Sequence, residues 1–508
     1  MDSTAQIVFA EERYALTVLT TLVSASLLVV FAAWMQRNRK HKTPSQSLPP
    51  GPWGLPLVGY LPFLRRKQHV VFRDLAQKYG PIFSVRLGVV NVVILNNYES
   101  VQEAFSKKQL LARTPKLFLT QAGVAGFMTL NGKSWIDNRK YCLHLINSPA
   151  YGQKDMETQV QAEIVYLVER ISKVKGSPIP VKQYLLPSLS NNVTALVFGQ
   201  RYDFDDPRRK MLDEILDTGM RCLAAGAVIT FMPRGFRMLS TACFTRFGAL
   251  RPLIQKLTNF MRQEHDLDGK GPWEPHVNSF IDGYLQLMSE HKTDPNTSFN
   301  MPNLIGNALA VFAAGSQTTC TTLLWSLLSL ADKVDTVQRK VQEEIDRVTE
   351  GRRAPAWSDR HDMPYTMATV WETQRWRTLS VMGIPREADE DVIVQGYLIK
   401  AGTVVMANLW AVHMDPNLWE APGEFRPERF LTKDGSRLIP KPEWLIPFSA
   451  GKRMCPAENF ANLEVFLYLA RLLQKFTVLP EEGRAVDFNY DTEGFCMPRS
   501  QNLRFMPR

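Results

Sequence analysis

The sequence lacks the cysteine and histidine patterns that mark zinc and dithiol proteins. Its 508 residues include six cysteines with no Cys-x-x-Cys pair, and eight histidines with no His-Glu-x-x-His motif. These absences argue against a zinc ribbon, a dithiol redox centre, a dense disulfide framework and a zincin protease. A single cysteine, rather than a cluster, is therefore the metal-binding candidate to consider.

Long runs of one charge are also scarce, although the chain carries a formal net charge of +10 from 60 basic and 50 acidic residues. A basic excess favours acidic partners or an anionic membrane surface. The basic residues are scattered, so we predict no nucleic-acid partner. A composition of 45% hydrophobic and 22% charged residues is typical of a folded protein with a large core.

A long apolar stretch stands at the N-terminus. Residues 14–35 contain no charged side chain, and the basic segment RNRKHK follows. A helix of this length spans a hydrocarbon core of ~30 Å, and flanking basic residues stay cytoplasmic. We predict a membrane anchor over residues 1–36, a basic and Pro-rich hinge over 37–52, and a cytosolic body over 53–508. A cleaved signal peptide is the alternative, but no small-residue cleavage site precedes the basic segment.

The sequence predicts a body that is mainly α-helical with small β-sheets. Helical periodicity dominates, and β-like runs occur near residues 82–95 and 391–399. Residues 295–331 carry no charge, yet Ser316, Gln317 and four threonines lie at the centre of this stretch. Six polar groups in mid-bilayer would be costly, so we predict a helix buried in the body rather than a second membrane span.

A lone cysteine, Cys455, lies in the segment PFSAGKRMCPAENFA, just before a predicted buried helix. The helix N-terminus, with Lys452 and Arg453, should stabilise a thiolate there. No histidine base is nearby in sequence, which disfavours a nucleophilic role. A haem iron, whose porphyrin supplies four donors, suits a single thiolate ligand. On these residues alone, an inert packing cysteine remains an open alternative.

Several motifs in a fixed order carry a family resemblance. FSAGKRMC matches the pattern F-x-x-G-x-R-x-C, and WIDNR, AGSQTT, WETQR and FRPERF precede it in order along the chain. The chain resembles the cytochrome P-450 monooxygenases in these motifs. The anchor, the basic segment, PPGPWGLP and NLWAVHMDP resemble animal microsomal members in particular.

The resemblance implies the cytochrome P-450 fold, a single large haem domain that binds haem b. Cys455 would be the iron ligand, with Phe448 against its loop. The side chains implied for the two haem propionates are Arg113, Trp135, Arg139, Arg386 and Arg453. Glu372, Arg375 and Arg429 would form a buried ionic cluster that fixes the core under the haem.

On the oxygen-binding side, the resemblance implies a catalytic pair at Thr318 and Gln317. The Thr318 hydroxyl would relay protons to dioxygen. Position 317 is a departure, because the family usually has Asp or Glu there and a glutamine cannot ionise. This departure leaves the source of exchangeable protons open.

The implied reaction inserts one oxygen atom from dioxygen into an apolar small molecule such as a steroid, a lipid or a xenobiotic. Electrons would come from NADPH through a flavoprotein reductase, with cytochrome b5 as a further candidate donor, at the endoplasmic reticulum membrane. One alternative is a haem-thiolate isomerase or dehydratase of oxygenated lipids, against which the retained Thr318 argues. The other is a non-catalytic, membrane-anchored protein that binds haem or a ligand, for which Gln317 is the only support.

Overall fold

The computed structural model describes residues 47–64, 67–117, 120, 123–147, 156–229, 231–233, 250–265, 279–492 and 495–508. The predicted anchor over residues 1–36 and most of the predicted hinge lie outside these ranges. Among the helices within them, none combines the length and the apolar character that a membrane crossing requires.

α-Helices are the predominant secondary structure of the described residues. They are α1 (Gln68–Tyr79), α2 (Tyr98–Ser106), α3 (Gly132–Asn147), α4 (Met156–Ser172), α5 (Val181–Phe198), α6 (Pro207–Ile229), α7 (Leu250–Glu264), α8 (Phe280–Glu290), α9 (Met301–Asp332), α10 (Arg339–Thr349), α11 (Pro364–Trp376), α12 (Leu409–His413) and α13 (Glu458–Lys475).

The strands are short and form small sheets. They are β1 (Ile82–Leu87), β2 (Val90–Leu95), β3 (Ile179–Pro180), β4 (Arg386–Glu387), β5 (Val392–Val394), β6 (Tyr397–Ile399), β7 (Val404–Ala407), β8 (Phe476–Pro480), β9 (Tyr490–Thr492), β10 (Cys496–Pro498) and β11 (Asn502–Pro507). A four-stranded sheet has the order β1-β2-β7-β4, and β2 pairs with β7 in parallel. A three-stranded sheet has the order β3-β11-β8, while β5–β6 and β9–β10 form two hairpins. The predicted β-like runs at 82–95 and 391–399 are confirmed.

Helix α9 is the central helix of the body. Its N-cap is Asn300, whose side chain accepts the Asn303 N–H at 3.0 Å, and Pro302 lies in the first turn, where its missing N–H costs nothing. The helix packs against α5, α11 and α13, and most of its side chains are buried. The prediction of a buried helix over this uncharged stretch is confirmed.

A buried polar pair joins α13 to α5. The fully buried Glu464 accepts a hydrogen bond from Asn192 Nδ2 through Oε1 at 2.8 Å. Glu464 Oε2 and Asn192 Oδ1 are both buried without a partner. A proton on Oε2 would let the carboxyl donate to Asn192 Oδ1 and complete a reciprocal pair. Burial raises the pKa of Glu464 to about 8, so this carboxyl is neutral at neutral pH.

Replacement of Glu464 by glutamine should remove a pH dependence of stability. Because the folded pKa of about 8 lies above the ordinary value of 4.5, the folded state binds the additional proton between these values. Stability that is fully present at low pH is therefore lost as pH rises, and the unfolding equilibrium constant should increase about tenfold per pH unit over that window. Glutamine supplies the same donor and acceptor at every pH.

The measurement is urea unfolding of both proteins at a series of pH values from about pH 5 to about pH 8. Glu464→Gln should gain stability relative to wild type as pH rises. An unfolding free-energy difference that stays constant over this range would show that Glu464 does not carry the proton.

Candidate haem site

The segment around Cys455 forms a tight loop before α13. The Cys455 N–H donates to the Phe448 carbonyl at 2.9 Å, and the Met454 N–H donates to the Gly451 carbonyl at 2.9 Å. Gly451 has φ +70°, and a Cβ there would lie 2.2 Å from the Phe105 carbonyl oxygen. Only glycine satisfies both the left-handed backbone and the close contact with α2. The loop shape is therefore fixed by its own hydrogen bonds and by Phe105.

The sulfur environment differs from the expectation drawn from the sequence. Burial raises the pKa of the Cys455 thiol, and the Ala457 N–H hydrogen bond offsets only part of this effect. Arg453 was expected to help ionise the thiol, but its N–H groups donate to the carbonyls of Leu111, Phe127 and Leu130. Burial thus outweighs the helix N-terminus, and ionisation at neutral pH requires a bound cation such as iron.

Four arginines from separate elements gather beside this loop: Arg113, Arg139, Arg386 and Arg453. In the described part of the chain, none of the four pairs with a carboxylate. Burial and the neighbouring guanidiniums lower the pKa of Arg386 to about 8, and the same causes lower that of Arg453 to about 8. The pKa of Arg113 falls to about 10. The cluster is an excess of buried positive charge that calls for an anion.

Unpartnered donors identify the form of that anion. Arg386 Nε and Nη1, Arg113 Nε and Trp135 Nε1 are buried and have no acceptor among the described residues. The other donors hold the cluster in place, since Arg386 Nη2 donates to the Ala450 carbonyl at 2.8 Å and Arg113 Nη1 to the Ile384 carbonyl at 2.7 Å. Two carboxylates would accept these free N–H groups and offset the repulsion. The residues present therefore fit a haem group, which carries two propionates.

Helix α3 carries two of the side chains implied for the propionates, Arg139 and Trp135. Arg139 Nη2 donates to the Met454 carbonyl at 2.7 Å, directly before Cys455. The Trp135 ring lies beneath the Arg453 guanidinium, with its centroid 3.9 Å away. Helix α3 therefore contacts both the cysteine loop and the arginine cluster.

Helix α9 has an open stripe along one side. Between the two ends of the helix, half-buried or exposed positions recur about every four residues, at Ile305, Leu309, Ala313, Ala314, Gly315, Thr318 and Thr322, and the other positions there are buried. The Thr318 hydroxyl lies on this stripe and donates to the Ala314 carbonyl at 2.6 Å.

Gln317 has different surroundings, although it is adjacent to Thr318 in sequence. It is buried, and its Nε2 lies 3.5 Å from Asp217 Oδ1 on α6, while its Oε1 has no partner. Asp217 also accepts a bond from Lys182 at 3.0 Å. The structure thus gives the two predicted catalytic residues different neighbours and does not bring Gln317 onto the open stripe.

The predicted ionic cluster is assembled in the core. Arg375 makes a bidentate pair with Glu372, with N–O distances of 2.7 and 2.8 Å, and both side chains are fully buried. Arg429 Nε lies 3.1 Å from a Glu372 carboxylate oxygen. The remaining Arg375 donors reach the carbonyls of His413, Pro422 and Glu424. The structure therefore brings Glu372, Arg375 and Arg429 together.

Sequence reasoning missed two residues that shape the arginine cluster. Asn131 Oδ1 accepts from the Arg113 N–H at 2.7 Å and from Arg453 Nη2 at 3.1 Å. The Asn-Gly pair at 131–132 signals a tight turn, but nothing in it points to Arg453. Phe105 stacks on Arg386, with 3.4 Å between the guanidinium carbon and the ring centroid. No sequence signal links these two distant positions.

Comparison with known proteins agrees with this geometry. A family model for cytochrome P450 matches residues 49–503. The chain is 32% identical over 506 residues to cytochrome P450 2J5 of Mus musculus and 30% identical over 506 residues to cytochrome P450 2J2 of Homo sapiens, covering 96% of each chain in both cases. It is 32% identical over 488 residues to cytochrome P450 2U1 of Homo sapiens, covering 89% of this chain and 87% of the relative.

The family match over most of the chain and the cysteine loop beside the buried arginines lead to the same conclusion. The chain belongs to the cytochrome P450 family and is a haem-thiolate monooxygenase whose cofactor is iron protoporphyrin IX.

Proposed function

We propose that the protein inserts one oxygen atom from dioxygen into an apolar small molecule, with Cys455 as the iron ligand. The observation that carries this proposal is the buried arginine cluster with unpartnered donors beside the Cys455 loop. Arg386, Arg113 and Trp135 would bind the propionates through their free N–H groups. Arg453 and Arg139 would complete the positive charge around them. The bound haem supplies the activation of dioxygen.

The open stripe of α9 supports an apolar substrate and a role for Thr318. Ile305, Leu309 and Ala313 leave apolar surface partly uncovered toward the space beside this stripe, which favours an apolar ligand. The Thr318 hydroxyl has one proton, now donated to the Ala314 carbonyl. It can accept a bond from a water on the stripe and, after rotation of its side chain, donate its proton into the same space.

Membrane attachment extends the proposal. Large apolar side chains are exposed close to the predicted anchor, including Trp53 at 62%, Leu57 at 67% and Phe63 at 49% exposure. Such a patch next to an apolar N-terminal segment favours contact with lipid. We infer a single-pass protein of the endoplasmic reticulum membrane with anchor 1–36, hinge 37–52 and cytosolic body 53–508. Its electrons would come from NADPH through a flavoprotein reductase, with cytochrome b5 as a second donor.

Replacement of Cys455 tests the iron ligand. Reduced wild-type protein treated with carbon monoxide should show the strongly red-displaced Soret band of thiolate-ligated haem. Cys455→His should retain haem but lose this displacement, because imidazole replaces the thiolate. Cys142→Ala is the matched control, because Cys142 is a buried thiol on α3 and its loss should leave the band in place. Retention of the displaced band in Cys455→His would refute the assignment.

The reaction itself is tested in vesicles with NADPH and a flavoprotein reductase. We expect oxygenated product that depends on both. Thr318→Ala should lower the product formed per NADPH, because the loss of a positioned proton donor typically costs roughly 100-fold or more in rate. Thr319→Ala is the control, since Thr319 makes the same type of bond, to the Gly315 carbonyl at 2.9 Å, but is buried.

The outcomes separate the candidate functions. Turnover with peroxide or a lipid peroxide alone, without NADPH, would favour the isomerase or dehydratase. Haem and ligand binding without any product would favour the non-catalytic binder. Equal losses in Thr318→Ala and Thr319→Ala would contradict the role of the open stripe.

The ionic cluster of Glu372, Arg375 and Arg429 should be required for folding. Glu372→Gln leaves two buried guanidiniums without their countercharge, so we expect a loss of ~3–5 kcal/mol in the free energy of unfolding and little haem-loaded protein. Glu420→Gln is the control, because Glu420 pairs with Arg426 in the same region but is solvent-exposed. It should change stability little. Equal effects of the two substitutions would argue against a special role for the buried cluster.

A further inference from the structure

A buried amide on α9 has no role in the function proposed above. Asn307 is fully buried, and both ends of its side chain are used. Its Oδ1 accepts the Phe127 N–H at 2.6 Å, and its Nδ2 donates to Asn138 Oδ1 at 2.6 Å. These are short bonds to two other segments, the loop 123–131 and helix α3. Asn307 therefore ties the central helix to both of them.

The backbone of Phe127 links Asn307 to Arg453 through two hydrogen bonds. Its N–H is held by Asn307, and its carbonyl accepts from Arg453 Nη1 at 3.1 Å. The Leu130 carbonyl, in the same loop, accepts from Arg453 Nη2 at 2.7 Å. The loop 123–131 thus supplies two of the carbonyls that hold the Arg453 guanidinium, and Leu111 supplies a third. One residue, Phe127, separates Asn307 from that arginine.

Close backbone packing leaves the loop no other position. A Cβ on Gly306 would lie 1.9 Å from the Ala125 carbonyl oxygen, and a Cβ on Gly126 would lie 2.7 Å from the Gly306 carbonyl carbon. The loop therefore rests directly on the α9 backbone at Gly306. The Thr129 hydroxyl closes the loop on itself by donating to the Val124 carbonyl at 2.8 Å. A shift at Asn307 would move the loop as a unit.

The network is also anchored on its other side. Asn138 Oδ1 accepts the Tyr284 hydroxyl of α8 at 2.6 Å in addition to the Asn307 amide. Asn138 Nδ2 donates to the Ser134 and Ser298 carbonyls. Every polar atom of the two amides is satisfied, so the pair is rigid rather than merely buried. Asn138 lies on α3 directly before Arg139, which places this rigid pair next to the arginine cluster.

We propose that Asn307 is a positioning residue for haem, acting through the Phe127 carbonyl on Arg453. The proposal rests on the function above, in which Arg453 contributes to the binding of the haem propionates. Asn307 touches no part of the propionate cluster itself. Asn307 fixes the position of the loop against α9. The loop then directs two carbonyls at Arg453, and these carbonyls orient the guanidinium toward the propionates.

The test measures haem retention rather than turnover. Purified holoprotein is mixed with excess apomyoglobin, and haem transfer is followed at the Soret band. Asn307→Ala should lose haem roughly fivefold to tenfold faster than wild type, the size of one lost hydrogen bond. Asn303→Ala is the matched control, because Asn303 is a buried asparagine one turn earlier whose side chain donates to the Ser298 carbonyl at 2.8 Å, an acceptor that it shares with Asn138, and not to the loop 123–131. It should lose haem at the wild-type rate.

A double variant shows whether the effect passes through Arg453. Arg453→Met should accelerate haem loss, and adding Asn307→Ala should then accelerate it no further, because the two residues act in series. If Arg453→Met itself leaves haem loss unchanged, the proposed role of Arg453 fails. If Arg453→Met accelerates loss but Asn307→Ala matches Asn303→Ala, or adds its full effect to Arg453→Met, the role of Asn307 is overturned.

Gly306→Ala provides an independent test if Asn307→Ala does not fold. Alanine favours the helix over glycine, so α9 itself should not suffer. Its methyl group collides with the Ala125 carbonyl and must lift the loop. We expect haem loss to accelerate although all polar groups of the network remain. Wild-type haem retention in Gly306→Ala would overturn the proposal that the loop position controls Arg453.

Discussion

Positive charge buried without countercharge is the constraint on which the rest of the site depends. Arg113, Arg139, Arg386 and Arg453 come from four separate segments, and within the described ranges each is held by backbone carbonyls rather than by an acid. Carbonyl dipoles orient a guanidinium but do not neutralise it, so repulsion persists until an anion enters. Under the proposed function, the haem propionates would be that anion, and haem binding would then stabilise the folded state. The cysteine loop, helix α3 and strand β4 would meet around this one group.

The cluster of Glu372, Arg375 and Arg429 shows the opposite solution to the same problem. Its carboxylate is shared by two guanidiniums, and carbonyls take the remaining Arg375 donors. No donor of Arg375 is left free, so the cluster has nothing to offer a ligand. The two sets of arginines therefore differ in function for a physical reason that residue type alone does not reveal. One set is neutralised within the protein, whereas the other set would be neutralised by the proposed cofactor.

The features that could be predicted from the sequence are those that depend on residues close together in the chain. The three-residue interval of Glu372 and Arg375 fixes a shared helix face, and the uncharged stretch around Thr318 predicted a buried helix. Contacts between distant segments, such as Phe105 under Arg386 or Asn307 with Phe127, have no local signal. The expectation of an ionised Cys455 thiol was not met, for a related reason. A helix N-terminus is visible in the sequence, but burial, which raises the thiol pKa, is a property of the assembled fold.

In the polar centre of α9, exposed hydroxyls can be distinguished from hydroxyls that are only packed inside the core. Ser316, Thr318, Thr319, Thr321 and Thr322 each donate to the carbonyl four residues earlier. This bonding satisfies each hydroxyl and removes the cost of burying it, so a run of polar residues persists in an apolar helix. Thr318 makes the same bond as its neighbours. Thr318 and Thr322 lie on the open stripe, whereas Ser316, Thr319 and Thr321 are buried. Packing therefore leaves two of these hydroxyls open to water or substrate, and the proposed function assigns the proton relay to Thr318.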